Sequence, residues 1–384
     1  MKRRLFLLLI PFFLFSACDS WLDIVPEEDI ATIDTDFETR DGANAWLESC
    51  YAFLMRSIST IENAWLFGTD EVMACDYVLN RWEGFFPSFS ITSGLQNSLD
   101  PYDDVWSHKE VMSGSVGRTD FYTAISLCNI FINKIDQVYN MENREKSEWK
   151  AEVKALKAYY YFELVRHYGP IVLLPENIDP NLSIKEMKLP RNHVDSCFLA
   201  IVRLCDEAAE VLPHFNEKAT NRRTYFSKEA ALALKARALL YQASDLFNGN
   251  QDYVNFTNKN GELLFSATKD KNKWLLAAEA AEAAIEACRE GGKKLVDNQS
   301  GMTDLQTHML NIEASTQTYN YDSDEVLFLV KRRTAKEEGF WTYTLPNLNS
   351  DKNKLLQGTT ISPSMKMVEM FYTDNGLPID QDPS

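Results

Sequence analysis

The chain lacks the residue patterns that mark an enzyme or a metalloprotein. Its five histidines, His108, His167, His193, His214 and His308, stand at no spacing that would hold a metal. It has no Gly-rich phosphate loop, no Gly-x-Ser-x-Gly elbow and no cysteine–histidine arrangement suited to nucleophilic attack. No catalytic residue, metal or cofactor is therefore expected. Carboxylates are abundant, but no two stand out as the acid and base of a glycosidase, which work about 5–10 Å apart. Positive charge is also scarce. The chain has 39 Lys and Arg against 56 Asp and Glu, a formal charge of −17. Nucleic acid and anionic lipid are both recognised through clustered cations, so neither is an expected partner through charge. The excess negative charge favours solubility.

Long apolar runs are missing as well. The most apolar run, Leu5 to Phe15, follows Lys2-Arg3-Arg4 and is too short to span a bilayer comfortably. A basic start and a short apolar core read as a secretory signal peptide, residues 1–17. Phe15-Ser16-Ala17-Cys18 closes it. Small residues before a cysteine resemble a bacterial lipobox, in which Cys18 is acylated and becomes the new N-terminus. Two or three acyl chains anchor firmly where one would be marginal. Residues 18–36 then read as an extended tether that packs onto the body by Trp21 and Leu22. Six cysteines remain, at 50, 75, 128, 197, 205 and 288, and fit no metal template. Cys197 and Cys205 share a predicted helix, about 12 Å apart along its axis, which rules out a disulfide between them. Small buried core residues are the plainest reading.

What is present is helical periodicity. The segment 149–175, WKAEVKALKAYYYFELVRHYGPIVLLP, carries two apolar stripes. One is Trp149, Val153, Leu156, Tyr160 and Leu164; the other is Ala151, Ala155, Ala158, Phe162 and Val165. They lie on nearly opposite sides, so this helix, about 144–168, should sit between neighbours. Tyr168-Gly169-Pro170 stops it. Further helices are predicted at 37–58, up to Val138 through Phe121, Ala124, Ile125, Cys128, Ile132 and Ile135, and at 192–212, 227–246 and 273–290. Asn192 is the expected N-cap of the third of these and Ser227 of the fourth; Gly291-Gly292 ends the fifth. Glu325 to Val330 reads as a buried strand or extended run. Ser362-Pro363 reads as N-cap and first residue of a helix over 363–372. The pairs 144–168 with 192–212, and 227–246 with 273–290, have the character of tetratricopeptide-like helical hairpins, without the strict 34-residue consensus. The fold class is all-α, with long irregular loops on one face.

The ordered pieces resemble the SusD/RagB family of nutrient-binding outer-membrane lipoproteins. They are Cys18 with Trp21-Leu22-Asp23 and Pro26, Ala155 through Phe162 to Tyr168-Gly169-Pro170, Ala230 through Tyr241, Trp274 with Ala277-Ala278 and Ala280-Ala281, and Pro363 through Gly376-Leu377-Pro378. The resemblance implies a helical scaffold at 37–384, with parts at 37–215 and 216–384. Family members usually continue well past the Gly-Leu-Pro segment, so the second part is expected to be incomplete. It also implies an outer-membrane location facing the exterior and a SusC-like TonB-dependent transporter as partner. The ligand would be an oligosaccharide, with a peptide or other nutrient, or a pure scaffold role, as alternatives.

Sugar rings are bound by flat aromatic faces, and their hydroxyls by amides, Arg and carboxylates. In the family such groups come from a loop between early helices and loops beyond the third hairpin. Here the first holds Trp82, Phe85, Phe86 and Tyr102 with Asn80 and Arg81; the second holds Tyr319, Tyr321, Trp341 and Tyr343 with Asn347. These are the candidate ligand residues. For most of them a structural role capping the loop core is the more economical reading, and for Trp82 and Trp341 the two readings weigh equally. Asp100, Asp103 and Asp104 could offer oxygen ligands to a cation, but a solvated turn is the simpler account. The tyrosines at 159–161 fall on interior helical positions and read as core.

Overall fold

The computed structural model describes residues 33–54, 69–74, 94–99, 101, 104–106, 120–177, 182–295, 325–328, 361–373 and 375–383. Among the described residues six main helices stack in chain order. They are α1 (Arg40–Tyr51), α2 (Phe121–Lys134), α3 (Asn143–Tyr168), α4 (Val194–Ala209), α5 (Lys228–Ala243) and α6 (Asn272–Glu290). Each packs on the next: α1 on α2, α2 on α3, α3 on α4, α4 on α5, and α5 on α6. This is the hairpin pairing that the periodicity predicted, continued between pairs.

Both predicted stripes of α3 are buried, from Trp149 and Ala151 to Leu164 and Val165. A helix buried on two sides explains why α3 organises the core. Tyr160 and Tyr161 lie inside, while Tyr159 is only half-buried. Gly169 ends the helix at φ +69°, its N–H donating to the Val165 carbonyl at 2.8 Å. That φ is left-handed and disfavours any residue with a Cβ. On α6 the buried face is Ala277, Ala280, Ala284 and Ala287, with Lys273 at its start. Small side chains let α6 approach α5 closely. Cys50, Cys128, Cys197 and Cys205 are buried free thiols; Cys288 is half-buried. Burial pushes the Cys197 thiol up to about 11.

The start and stop signals hold at several ends. Ser227 caps α5 by accepting from the Ala230 N–H, and Gly291 follows α6. Elsewhere the structure departs from the sequence reading. His193, not Asn192, caps α4, its Nδ1 accepting from the Asp195 N–H at 3.1 Å. The Asn192 side chain is engaged elsewhere, accepting from the Leu173 N–H at 2.9 Å. Helix α1 starts at Arg40, because Thr39 accepts from the Gly42 N–H and Phe37 lies in the chain before it. Residues 33–36 of the expected extended tether form a helical turn, Ile33–Asp36. Ser362 and Pro363 are not a helix start. They belong to strand β2 (Ile361–Pro363), which pairs antiparallel with β1 (Val72–Ala74). Ser364 caps the next helix instead, the short α7 (Met365–Glu369), by accepting from the Met367 N–H at 3.1 Å. Residues 325–328 form no strand. The signal peptide, Cys18, Trp21 and Leu22 lie outside the described residues. No described helix is long and apolar enough to cross a membrane.

Candidate functional site

Two aromatic-rich stretches were expected to carry the ligand contacts. Trp82, Phe85, Phe86, Asn80, Arg81 and Tyr102, and Tyr319, Tyr321, Trp341, Tyr343 and Asn347, all lie outside the described residues. What the structure places is the set of stems from which those stretches leave and to which they return.

The stems meet at the small sheet. Ala74 is the last described residue before the first stretch, and Ile361 the first after the second; they are register partners. Met73 pairs with Ser362, and Val72 with Pro363. The pairing is fastened just beyond the strands. The Ser364 N–H donates to the Glu71 carbonyl at 2.9 Å, its hydroxyl donates to the Asp70 carbonyl at 2.5 Å, and Lys366 pairs with the Asp70 carboxylate. One end of each stretch is thus held against the other.

The remaining ends are held on the helical core. Residues 104–106 follow Tyr102 and dock on the end of α3. The Tyr168 hydroxyl donates to Asp104 Oδ1 at 3.1 Å and accepts from the Val105 N–H at 3.0 Å. Asp104 Oδ1 also accepts from the Trp106 N–H at 2.9 Å. Asp104 is only 4 % exposed, so it is a buried acceptor and not part of a solvated turn; Asp100 and Asp103 lie outside the described residues. The Trp106 ring meets Tyr122 edge-on at 4.9 Å and Tyr168 at 5.2 Å. The Arg191 guanidinium covers its face at 5.0 Å, an arrangement worth about 0.5–1 kcal/mol when exposed. Burial pushes the Tyr122 phenol well up, so it stays neutral. It can therefore both donate to the Val172 carbonyl at 3.2 Å and accept from the Val172 N–H at 3.0 Å.

The second stretch is anchored by Phe328, stacked on Phe226 at 4.3 Å. Phe226 is fixed in turn by a buried ionic cluster. Glu152, in the middle of α3, takes Lys218 Nζ at 2.8 Å and pairs with Arg222. Lys218 also donates to the Phe226 carbonyl at 2.8 Å. Arg222 lies over Tyr225 at 3.7 Å and Trp149 at 4.9 Å. Burial raises the Glu152 carboxyl, and the two cations offset this only in part. The sequence reading missed Trp106, Arg191 and this cluster, because each depends on partners tens of residues away. Among the described residues no group of three or more His, Cys, Asp or Glu could hold a metal.

Comparison with known proteins follows the architecture. A family described as "Starch-binding associating with outer membrane" (SusD-like) matches residues 87–240. A SusD-like protein P38 of Formosa agariphila is 25% identical over 237 residues, covering 62% of this chain and 41% of the relative. A SusD-like protein of Bacteroides ovatus is 26% identical over 245 residues, covering 61% of this chain and 39% of the relative. This chain thus spans about two fifths of the length of these relatives. Among solved structures, BT4246 superposes with a TM-score of 0.68 at 24% identity, over 90% of this chain and 59% of its own. A SusD-like protein of Bacteroides fragilis, BF3747, gives 0.60 at 22% identity, over 92% and 56%. The fold is that of the tetratricopeptide-like SusD scaffolds. Over residues 87–240 the chain is similar to the SusD-like family.

Proposed function

We propose that this chain is a cell-surface carbohydrate-binding lipoprotein that captures oligosaccharide and passes it to a SusC-like TonB-dependent transporter. Cys18 carries the lipid, residues 1–17 are removed, and residues 18–36 lead to the scaffold. The observation that carries the reading is the register pairing of Ala74 with Ile361. It supports a single site built from both aromatic-rich stretches, because their stems are joined. Trp82 and Trp341 then stack on sugar rings, with Phe85, Phe86, Tyr102, Tyr319, Tyr321 and Tyr343 as further apolar faces. Asn80, Arg81 and Asn347 address hydroxyls. Family members bind carbohydrate at the cell surface and are substrate-binding proteins, which supports the same reading. The protein binds and does not cleave.

The test is capture by the purified chain on an array of immobilised oligosaccharides and peptides. Retention of one oligosaccharide class, unchanged in chain length after incubation, is expected. Retention of peptides alone would replace the ligand class, and release of shorter sugars would make the protein a hydrolase.

A further inference from the structure

A cleft away from the paired stems has the makings of a second site. It measures about 470 Å³ and lies where α2 meets the 175–177 segment and the Ile33–Asp36 turn. Pockets for small ligands fall between about 300 and 1,000 Å³. One face of α2 supplies Ser126, Asn129, Ile130 and Asn133, at i, i+3, i+4 and i+7. Ile33 and Ile130 give an apolar floor, and everything else lining it is polar.

The polar groups are fixed. Asn129 is 5 % exposed, and its Nδ2 donates to the Pro175 carbonyl at 3.1 Å. Its Oδ1 is buried and accepts no hydrogen bond, which is costly unless a donor arrives. Asn133 Nδ2 donates to the Glu176 carbonyl at 3.1 Å and to Asn177 Oδ1 at 2.8 Å. Both protons of that amide are spent, so Asn133 Oδ1 and Asn177 Nδ2 remain as one acceptor and one donor for a ligand. Preorganised amides beside an aliphatic floor suit vicinal hydroxyls.

Charge then sets the class. The lining cation, Lys134, is held by Asp34 at 2.5 Å. Lys157, buried behind the rim, faces Glu176 at 4.0 Å. Neither is without a carboxylate partner, and no arginine lines the cleft. We infer that this cleft is a second subsite for a neutral polyhydroxylated ligand, a short uncharged sugar, and that it rejects acidic sugars. The inference rests on the carbohydrate reading above but not on the aromatic stretches.

The experiment isolates the cleft in the full chain carrying Trp82→Ala and Trp341→Ala. Saturation-transfer NMR is run with maltotriose and with trigalacturonate. Maltotriose is expected to bind still, in the millimolar range, and adding Asn133→Ala and Asn177→Ala is expected to weaken it about fivefold or more, two hydrogen bonds being lost. Trigalacturonate is expected to stay unbound until Asp34→Asn frees Lys134; Asp34 is largely exposed, so this variant folds as the parent does. No residual maltotriose binding, residual binding indifferent to the two asparagines, or equal binding of both sugars would overturn the inference. If wild-type affinity survives both tryptophan changes, the aromatic site fails, and the cleft is judged by the asparagine pair alone.

Discussion

Lys157 points to a cost carried inside the core. Its side chain is 4 % exposed, and its ion-pair partner Glu176 is distant at 4.0 Å and itself over half exposed. Burial lowers its pKa below the ordinary 10.5, and Glu176 only partly opposes this. A lysine whose folded pKa is depressed binds fewer protons folded than unfolded in the window just below 10.5. Stability should therefore rise as pH increases through that window. Lys157→Met keeps the volume and removes the penalty. We expect it to stabilise the protein by about 1 kcal/mol near neutral pH in urea unfolding, and to flatten the alkaline rise. Asp195 has the opposite sign. Burial raises its pKa, but hydrogen bonds from Lys273 at 2.5 Å and Gln242 at 2.9 Å outweigh it, and the net shift is downward. Its contribution is present above the ordinary 3.8 and is lost as pH falls through the lower folded value. Asp195→Ala, which unties α4 from α5 and α6, should cost about 2–3 kcal/mol at pH 7 and remove that acid dependence, as read by denaturant titration. Such charges are illegible in a linear pattern. Glu152 and Lys157 fall on a helix read as apolar on two sides, and only the folded chain supplies their partners, Lys218 and Glu176.

At the scale of elements, periodicity was enough to find α3 to α6 and their pairing, since two apolar stripes on one helix demand two neighbours. The ends were harder. Asn192 and Ser362 are good caps in isolation, but a tertiary hydrogen bond from Leu173 claims one and sheet pairing with Met73 claims the other. The crossover between α5 and α6 depends on Gly249, at φ +72°. A Cβ there would lie 2.5 Å from the Lys269 nitrogen and 2.8 Å from its Cα. Backbone cannot give way as a flexible side chain can. Gly249→Ala should therefore cost about 2 kcal/mol or more, seen as a lowered urea midpoint. The α5–α6 contact is equally specific about size. Ala280 is 6 % exposed among alanines, and Ala280→Leu should destabilise by about 1–3 kcal/mol through overpacking.

For the whole molecule, the helical stack is a platform, and in the proposed reading the function belongs to the stretches it holds. The fold class was legible because stacking is written in repeated spacing. The candidate site could be proposed only from residue type and position, since loop aromatics carry no period to say whether they meet. The sheet of β1 and β2 gives the missing connection by joining the stems of both stretches. The central claim is that one oligosaccharide is gripped by both. Calorimetric titration of the retained sugar against wild type, Trp82→Ala, Trp341→Ala and the double variant tests it most directly. Each single change should weaken binding about five- to tenfold, a stacked ring being worth about 1–1.4 kcal/mol, and the double variant should not bind measurably at the aromatic site. Full affinity in either single variant would contradict the account.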